Sequence, residues 1–262
     1  RDTVFSAVMI VCTGVVGLCV LMGASRHREQ EFRIQGANGA LAVIIALSGL
    51  TLILPNYTQS PGPTFTVQQL EFVGVVSFVM YCIFVFVQTV RHRDYFLPPV
   101  AEEQHHMRAP SLSMVFLSLG LLVLSLVAVV GLAKALSPTV EVAVAQSGAP
   151  KSVVGVVIAA LVLLPESLAA VRAARLNRLQ TSFNLAFGSV IASIGLTIPV
   201  VAVVSVLFDQ PLTLGLDPKE IVLLVLTMLL TTLTIATGRT SILQGAIHLM
   251  IFAIFLFFAV VP

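Results

Sequence analysis

Eight apolar runs separated by short polar segments make up most of this chain: residues 4–23, 37–54, 67–90, 112–136, 152–171, 183–208, 221–237 and 242–261. Several reach the roughly 18 residues at which a run with few charges reads as a membrane-crossing helix. The seventh is shorter, and tilt or local bilayer thinning matches it to its neighbours. A membrane barrel would instead show alternating segments of about ten residues. The pattern therefore predicts an all-α polytopic membrane protein with eight transmembrane helices.

Composition supports the same class. Hydrophobic residues make up 58% of the 262 and charged residues 10%, with a mean hydropathy of +1.04; a soluble domain carries about 25% charged residues. The net charge of +2 gives no reason to expect a nucleic-acid partner. Cys12, Cys19 and Cys82 fall in apolar runs and read as small interior residues, not as disulfides or metal ligands. The opening "RDTVFSAVMIVC" does not read as a signal peptide, and the chain reads as starting inside a longer protein.

Charge then orients the runs. Segments after runs one, three, five and seven hold Arg26, Arg28, Arg33, Arg91, Arg93, Arg108, Arg172, Arg175, Arg178 and Arg239, ten of the fourteen basic residues. The other side holds Arg1, Lys134, Lys151 and Lys219. The excess of basic residues marks the cytoplasmic side, so both chain ends are expected outside. The inner segment 91–110, "RHRDYFLPPVAEEQHHMRAP", divides residues 1–90, with three helices, from residues 112–262, with five. Residues 91–111 read as a solvated cytosolic loop. A sharper alternative is a cation or pH sensor at Glu102, Glu103, His105 and His106, because histidine titrates near neutrality.

A half-hidden repeat adds topology. "TVFSAVMIVCTGVVGLC" from Thr3 and "TSFNLAFGSVIASIGLT" from Thr181 share Thr, Phe, Gly and Leu at Thr3/Thr181, Phe5/Phe183, Gly17/Gly195 and Leu18/Leu196. The first run goes inward and the sixth outward, which is the relation that inverted transporter repeats produce.

One residue is out of place energetically. In "LVLLPESLAAV" (161–171), Glu166 sits at membrane depth, where a carboxylate costs about 2.5–3.5 kcal/mol on insertion scales. It needs an ion, a proton or a donor. Pro165 beside it is expected to break the helix and free a carbonyl near Ala160 or Leu161 for a hard cation. The next run offers Asn184, Gly188, Ser189 and Ser193, at four-residue spacings that combine polar oxygens with close packing at Gly188. Glu166 is thus the candidate metal and proton ligand, with Ser189, Asn184 and Ser193 beside it. The bland alternative is a structural or sensing membrane protein in which Glu166 makes one interior hydrogen bond. Arg239 is expected to cap a helix end, His248 to be a hydrogen-bonded interior residue, and Thr227, Thr231, Thr232 and Thr234 to bond back to their own helix. No nucleophile–base pair or His/Glu metal cluster appears in the runs, so an enzyme is not expected.

"LVLLPESLAAVRAARLNRLQTSFNLAFGSVIASIGLTIPVV" resembles the second alpha-repeat of the cation/calcium exchanger superfamily, and within it the bacterial calcium/proton, or sodium (potassium)/proton, antiporters. "TGRTSILQGAIHL" and "RDTVFSAVMIVCTGVVG" extend the likeness over nearly the whole chain. The resemblance implies two inverted five-helix repeats, each with an acid in its second helix, and a chain that lacks the first helices of that fold. It implies that Glu166 binds cation and proton in turn, that Ser189 lies beside the ion, and that Asn184 stands one turn before the Gly-Ser motif. Ala192 stands where many eukaryotic relatives have Gln, which leaves the choice among calcium, sodium and potassium open. The implied partners are membrane lipid and the transported cations, with no cofactor and with a homo-oligomer left open.

Overall fold

The computed structural model describes residues 1–58, 60, 62–97, 111–146, 148–150, 152–208 and 212–261. Within them run α1 (Asp2–His27), α2 (Ile34–Tyr57), α3 (Val67–Arg91), α4 (Leu112–Gln146), α5 (Ser152–Arg175), α6 (Leu179–Leu207), α7 (Pro218–Ala236) and α8 (Ile242–Val260). Among the described residues, extended pairing is limited to two isolated antiparallel bridges, Glu31 with Arg239 and Thr64 with Thr213. Among the described residues, seven helices are long and apolar enough to cross a bilayer, one fewer than expected. α4 runs as a continuous helix of 35 residues between α3 and α5.

α1 is the central helix. Its apolar window is 83% buried, against 22–44% for the other six spans. Midway, Ile10–Val15 form a π-helical turn between the α-helical segments Asp2–Met9 and Val16–His27, and all six residues of the turn are buried. The turn touches α5, α6, α7 and α8. The Thr13 hydroxyl donates to the Met9 carbonyl inside it.

α5 lies beside α1 and runs the same way. At one end an added Cβ at Gly155 would come within 2.9 Å of Asp2. At the other, the Gln30 amide donates to the Ala174 carbonyl at 2.8 Å and His27 Nε2 lies 3.2 Å from the Arg175 carbonyl. Residues 176–178 then reverse the chain into α6. Asn177 takes φ = +58°, a left-handed position that asparagine tolerates better than most residues. α6 is therefore antiparallel to α1.

Three features show α1–α3 and α6–α8 to be inverted copies of one plan. Gly17 in α1 meets His248 and Leu249 of α8, and the matching Gly195 in α6 meets Tyr81 of α3, with built Cβ distances of 3.0 and 2.8 Å. α3 and α8 open with the same capping box, Thr66 with Gln69 and Ser241 with Gln244. The two β-bridges also correspond. Glu31, between α1 and α2, pairs with the α7–α8 loop, while Thr213, between α6 and α7, pairs with the α2–α3 loop.

The outward faces are apolar and exposed, as at Phe72, Leu168 and Val222, which suits contact with lipid. Cys82 lies on such a face, unlike the buried Cys12 and Cys19, so it is not the interior residue expected. In a bilayer an exposed apolar side chain has no water to avoid. Arg239 does not cap a helix. It pairs across the loops with Glu29 (3.4 Å) and Glu31 (3.1 Å), because the α7–α8 turn brings it against the α1–α2 connection. These exposed pairs contribute at most about 1 kcal/mol each. Thr231 and Thr232 bond back to Thr227 and Met228 at 2.7 and 2.8 Å, as their spacing suggests. Thr227 and Thr234 instead bond outside their helix, to Met9 Sδ and to His248.

The tightest approach of α8 to α1 is at Gly245, where an added Cβ would lie 2.6 Å from the backbone N of Leu21. Gly245→Ala is expected to destabilise the protein by about 1–3 kcal/mol, because backbone cannot yield as a side chain would. Gly39, exposed in α2 with nothing within 4 Å of its built Cβ, gives the opposite expectation. Gly39→Ala is expected to be neutral or to stabilise by about 0.4–1 kcal/mol. Thermal unfolding of the detergent-purified variants checks both.

Candidate functional site

Glu166 is the fifteenth residue of the 24-residue α5. Leu163 and Ala170, one turn either side on the same stripe, are 3% and 0% exposed. The carboxylate follows that stripe inward, and its Oε2 is buried with no hydrogen-bond partner. An unpaired buried carboxylate oxygen forfeits its hydration without replacement, a loss of about 1–3 kcal/mol or more. The other acids of the seven spans, Asp2, Glu71 and Glu220, lie within the first five residues of theirs.

The α5–α6 reversal brings the second helix to the same depth. Glu166 is nine residues before Arg175, and Ser189 is ten after Leu179. At about 1.5 Å per residue both lie about 14–15 Å from the turn, near the middle of a hydrocarbon layer about 30 Å thick. Ser189 and Ser193 are half-buried, and their hydroxyls have no partner among the described residues. One buried acid oxygen and two free hydroxyls on the adjacent helix thus occupy the central zone.

Other expected features fall elsewhere. Asn184 is engaged nearer the turn. Gln180 Nε2 donates to Asn184 Oδ1 at 3.0 Å, the Asn184 amide donates to the Phe96 carbonyl, and the Arg33 N–H donates to Gln180 Oε1 at 2.8 Å. This clamp ties α6 to the start of α2 and to the turn Arg93–Phe96. Pro165 does not break α5, which is continuous from Ser152 to Arg175. A proline ring that projects from the exposed face is accommodated in a membrane helix by small local adjustments. Gly188 does not serve close packing among the described residues, since nothing lies within 4 Å of its built Cβ. It leaves an open notch beside Ser189. Glu102, Glu103, His105 and His106 lie outside the described residues. No cluster of three or more His, Cys, Asp or Glu side chains fit to hold a metal occurs among the described residues, so Glu166 stands as a single carboxylate there.

π-helical backbone occurs at Ile10–Val15 of α1, at Gly49–Ile53 of α2 and at Val87–Arg91 of α3, and not in α5; the turn in α1 is the fully buried one. Such turns recur at functional sites. The turn in α1 is walled by polar groups that apolar periodicity does not disclose. The Thr227 hydroxyl lies 3.5 Å from Met9 Sδ, and the fully buried His248 lies 2.8 Å from the Cys12 carbonyl and 3.0 Å from Thr234 Oγ1. The sequence signals were His248 itself and the glycines Gly14 and Gly17, which admit α8.

Known proteins share this arrangement. A Sinorhizobium fredii protein that carries the name of an ionic transporter, y4hA, is 50% identical over 271 residues, covering 100% of this chain and 72% of its own. The sodium-potassium/proton antiporter ChaA of Escherichia coli is 32% identical over 261 residues, covering 98% of this chain and 70% of its own. Among solved structures, an H+/Ca2+ exchanger, CAX, superposes with a TM-score of 0.72 at 17% identity over 98% of this chain and 64% of its own, a likeness of fold. Residues 1–90 and 117–261 match the family described as sodium/calcium exchanger protein. Two inverted helical halves, a mid-depth acid and these matches identify the chain as a multi-pass membrane protein of the sodium/calcium exchanger family of ion transporters.

Proposed function

We infer that this chain exchanges a cation, calcium or sodium/potassium, for protons, and that cation and proton occupy Glu166 in turn. The observation that carries this reading is the buried, unpartnered Oε2 at mid-depth in α5. A carboxylate in a medium of low dielectric cannot remain charged and unpaired. It is held neutral by a proton or paired by a cation, and the two exclude each other. The sodium-potassium/proton antiporter ChaA of Escherichia coli, 32% identical to this chain, supports exchange of a cation for protons.

On this reading Ser189 supplies a neutral oxygen at the same depth and Ser193 another one helical turn beyond, and the notch at Gly188 leaves room for the ion beside them. Asn184 holds α6 in register through its clamp. A single carboxylate leaves a divalent cation with excess positive charge, so calcium needs a second acid besides Glu166, whereas a monovalent cation does not. Residues 1–90 and 112–262 belong to the two repeats, and the distribution of arginine puts both chain ends on the outer side of a bacterial inner membrane.

Glu166→Gln keeps the shape and hydrogen-bonding capacity but removes the charge and the proton site. In everted vesicles it is expected to reduce cation-driven proton movement by far more than the about 10-fold that loss of a merely supporting partner causes. Undiminished exchange would favour the structural role and overturn this reading. Ser189→Ala is expected to raise the half-saturating cation concentration by about 10-fold while the maximal rate changes little. Because protons compete for the same oxygens, raising the pH is expected to lower the half-saturating cation concentration in the unsubstituted protein. A pH-independent value, measured by proton-flux titration at several pH values, would exclude competition.

A further inference from the structure

His248 is fully buried in α8, and both of its ring nitrogens are engaged. Nδ1 lies 2.8 Å from the Cys12 carbonyl, and Nε2 lies 3.0 Å from Thr234 Oγ1. A carbonyl has no proton to give, so Nδ1 carries the hydrogen and Cys12 accepts it. In the neutral ring Nε2 then accepts from the Thr234 hydroxyl. One imidazole thus joins α1, α7 and α8.

The carbonyl it holds belongs to the π turn Ile10–Val15. That turn touches α5 and α6, the two helices that carry Glu166 and Ser189. Its depth also matches. α1 and α5 run side by side from Asp2 against Gly155 to His27 against Arg175. Glu166, eleven residues beyond Gly155 and nine short of Arg175, falls level with the stretch of α1 from Thr13 to Leu18.

A π turn holds one residue more than the α-helical ladder accommodates. If it tightened to α, every residue on one side of it would rotate by about 100° about the helix axis. Within the turn the ladder pairs the Val16 N–H with the Val11 carbonyl, and the Cys12 carbonyl takes a donor from another helix, the Nδ1–H of His248. We propose that His248 is a positioning residue for ion exchange: its Nδ1–H bond to the Cys12 carbonyl holds the π turn of α1 open at the level of Glu166, and so sets which face of α1 confronts the ion-binding carboxylate. The proposal rests on the reading of Glu166 given above.

Two substitutions separate the two nitrogens. The amide nitrogen of Asn falls near the place of imidazole Nδ1, and that of Gln near Nε2. Proton flux driven by a series of cation concentrations, in vesicles bearing the intact transporter, gives the half-saturating concentration and the maximal rate for each. His248→Asn keeps the bond to Cys12 and is expected to retain the half-saturation of the unsubstituted protein. His248→Gln keeps only the Thr234 side and is expected to raise it by about 10-fold at a similar maximal rate. Thr234→Val removes the other bond and is expected to leave it unchanged. Equal behaviour of the Asn and Gln variants, an unshifted Gln variant, or loss of both from the membrane would overturn the proposal and confine His248 to the fold. Glu166→Gln, measured beside them, tells the two readings apart. If it is inactive while the Asn and Gln variants behave alike, the positioning role alone fails.

Discussion

In hydrocarbon no water is available to satisfy a peptide group, so each irregular carbonyl must be given a donor by the protein itself. The rest of this structure depends on how that constraint is met in α1. Its π turn is the most enclosed part of the most enclosed helix, and the four helices α5 to α8 close around it. Thr13 serves the Met9 carbonyl from within the turn, and His248 serves Cys12 from outside. An α-helix could have filled the same space without such help. Keeping the irregular turn ties the positions of α7 and α8 to a few hydrogen bonds.

The same constraint, applied to a side chain, distinguishes Glu166. Several polar groups of the core are paired: Thr231 and Thr232 to their own backbone, Asn184 and Gln180 to each other and to the neighbouring loops. Glu166 Oε2 shares with the buried Ser48, Ser77 and Ser182 hydroxyls the lack of a partner, and of these four it alone can carry a charge. On the reading proposed above, that charge-bearing oxygen is the place cation and proton occupy in turn.

Inversion gives the two halves a shared construction without making them equal. Gly17 and Gly195 admit α8 and α3, and equivalent capping boxes open those helices. Yet the π turn of α1 has no counterpart in α6, which is regular from Leu179 to Leu207. Three of the four identities between the repeats, Thr3/Thr181, Phe5/Phe183 and Gly17/Gly195, lie where helices begin or approach, because contact geometry constrains residue type there, while Leu18 and Leu196 are exposed.

Apolar run length and the distribution of arginine sufficed to read a polytopic helical membrane protein, because about 20 apolar residues in lipid leave the backbone no alternative to a helix. The chemistry of a lone carboxylate beside a proline sufficed to single out Glu166, and the repeat with Ser189 sufficed to suggest the adjacent helix. Only the tertiary structure decided where the irregular backbone lies, that Asn184 is occupied by a clamp, that Pro165 leaves α5 intact and that Gly188 faces open space. It also decided that Arg239 crosses to Glu29 and Glu31 and that His248 reaches Cys12, 236 residues away. The physical reason is common to all of these. Hydrophobicity is a local property that any residue declares by itself, whereas whether a carbonyl, an amide or a carboxylate is satisfied depends on which distant group the packing brings within about 3 Å.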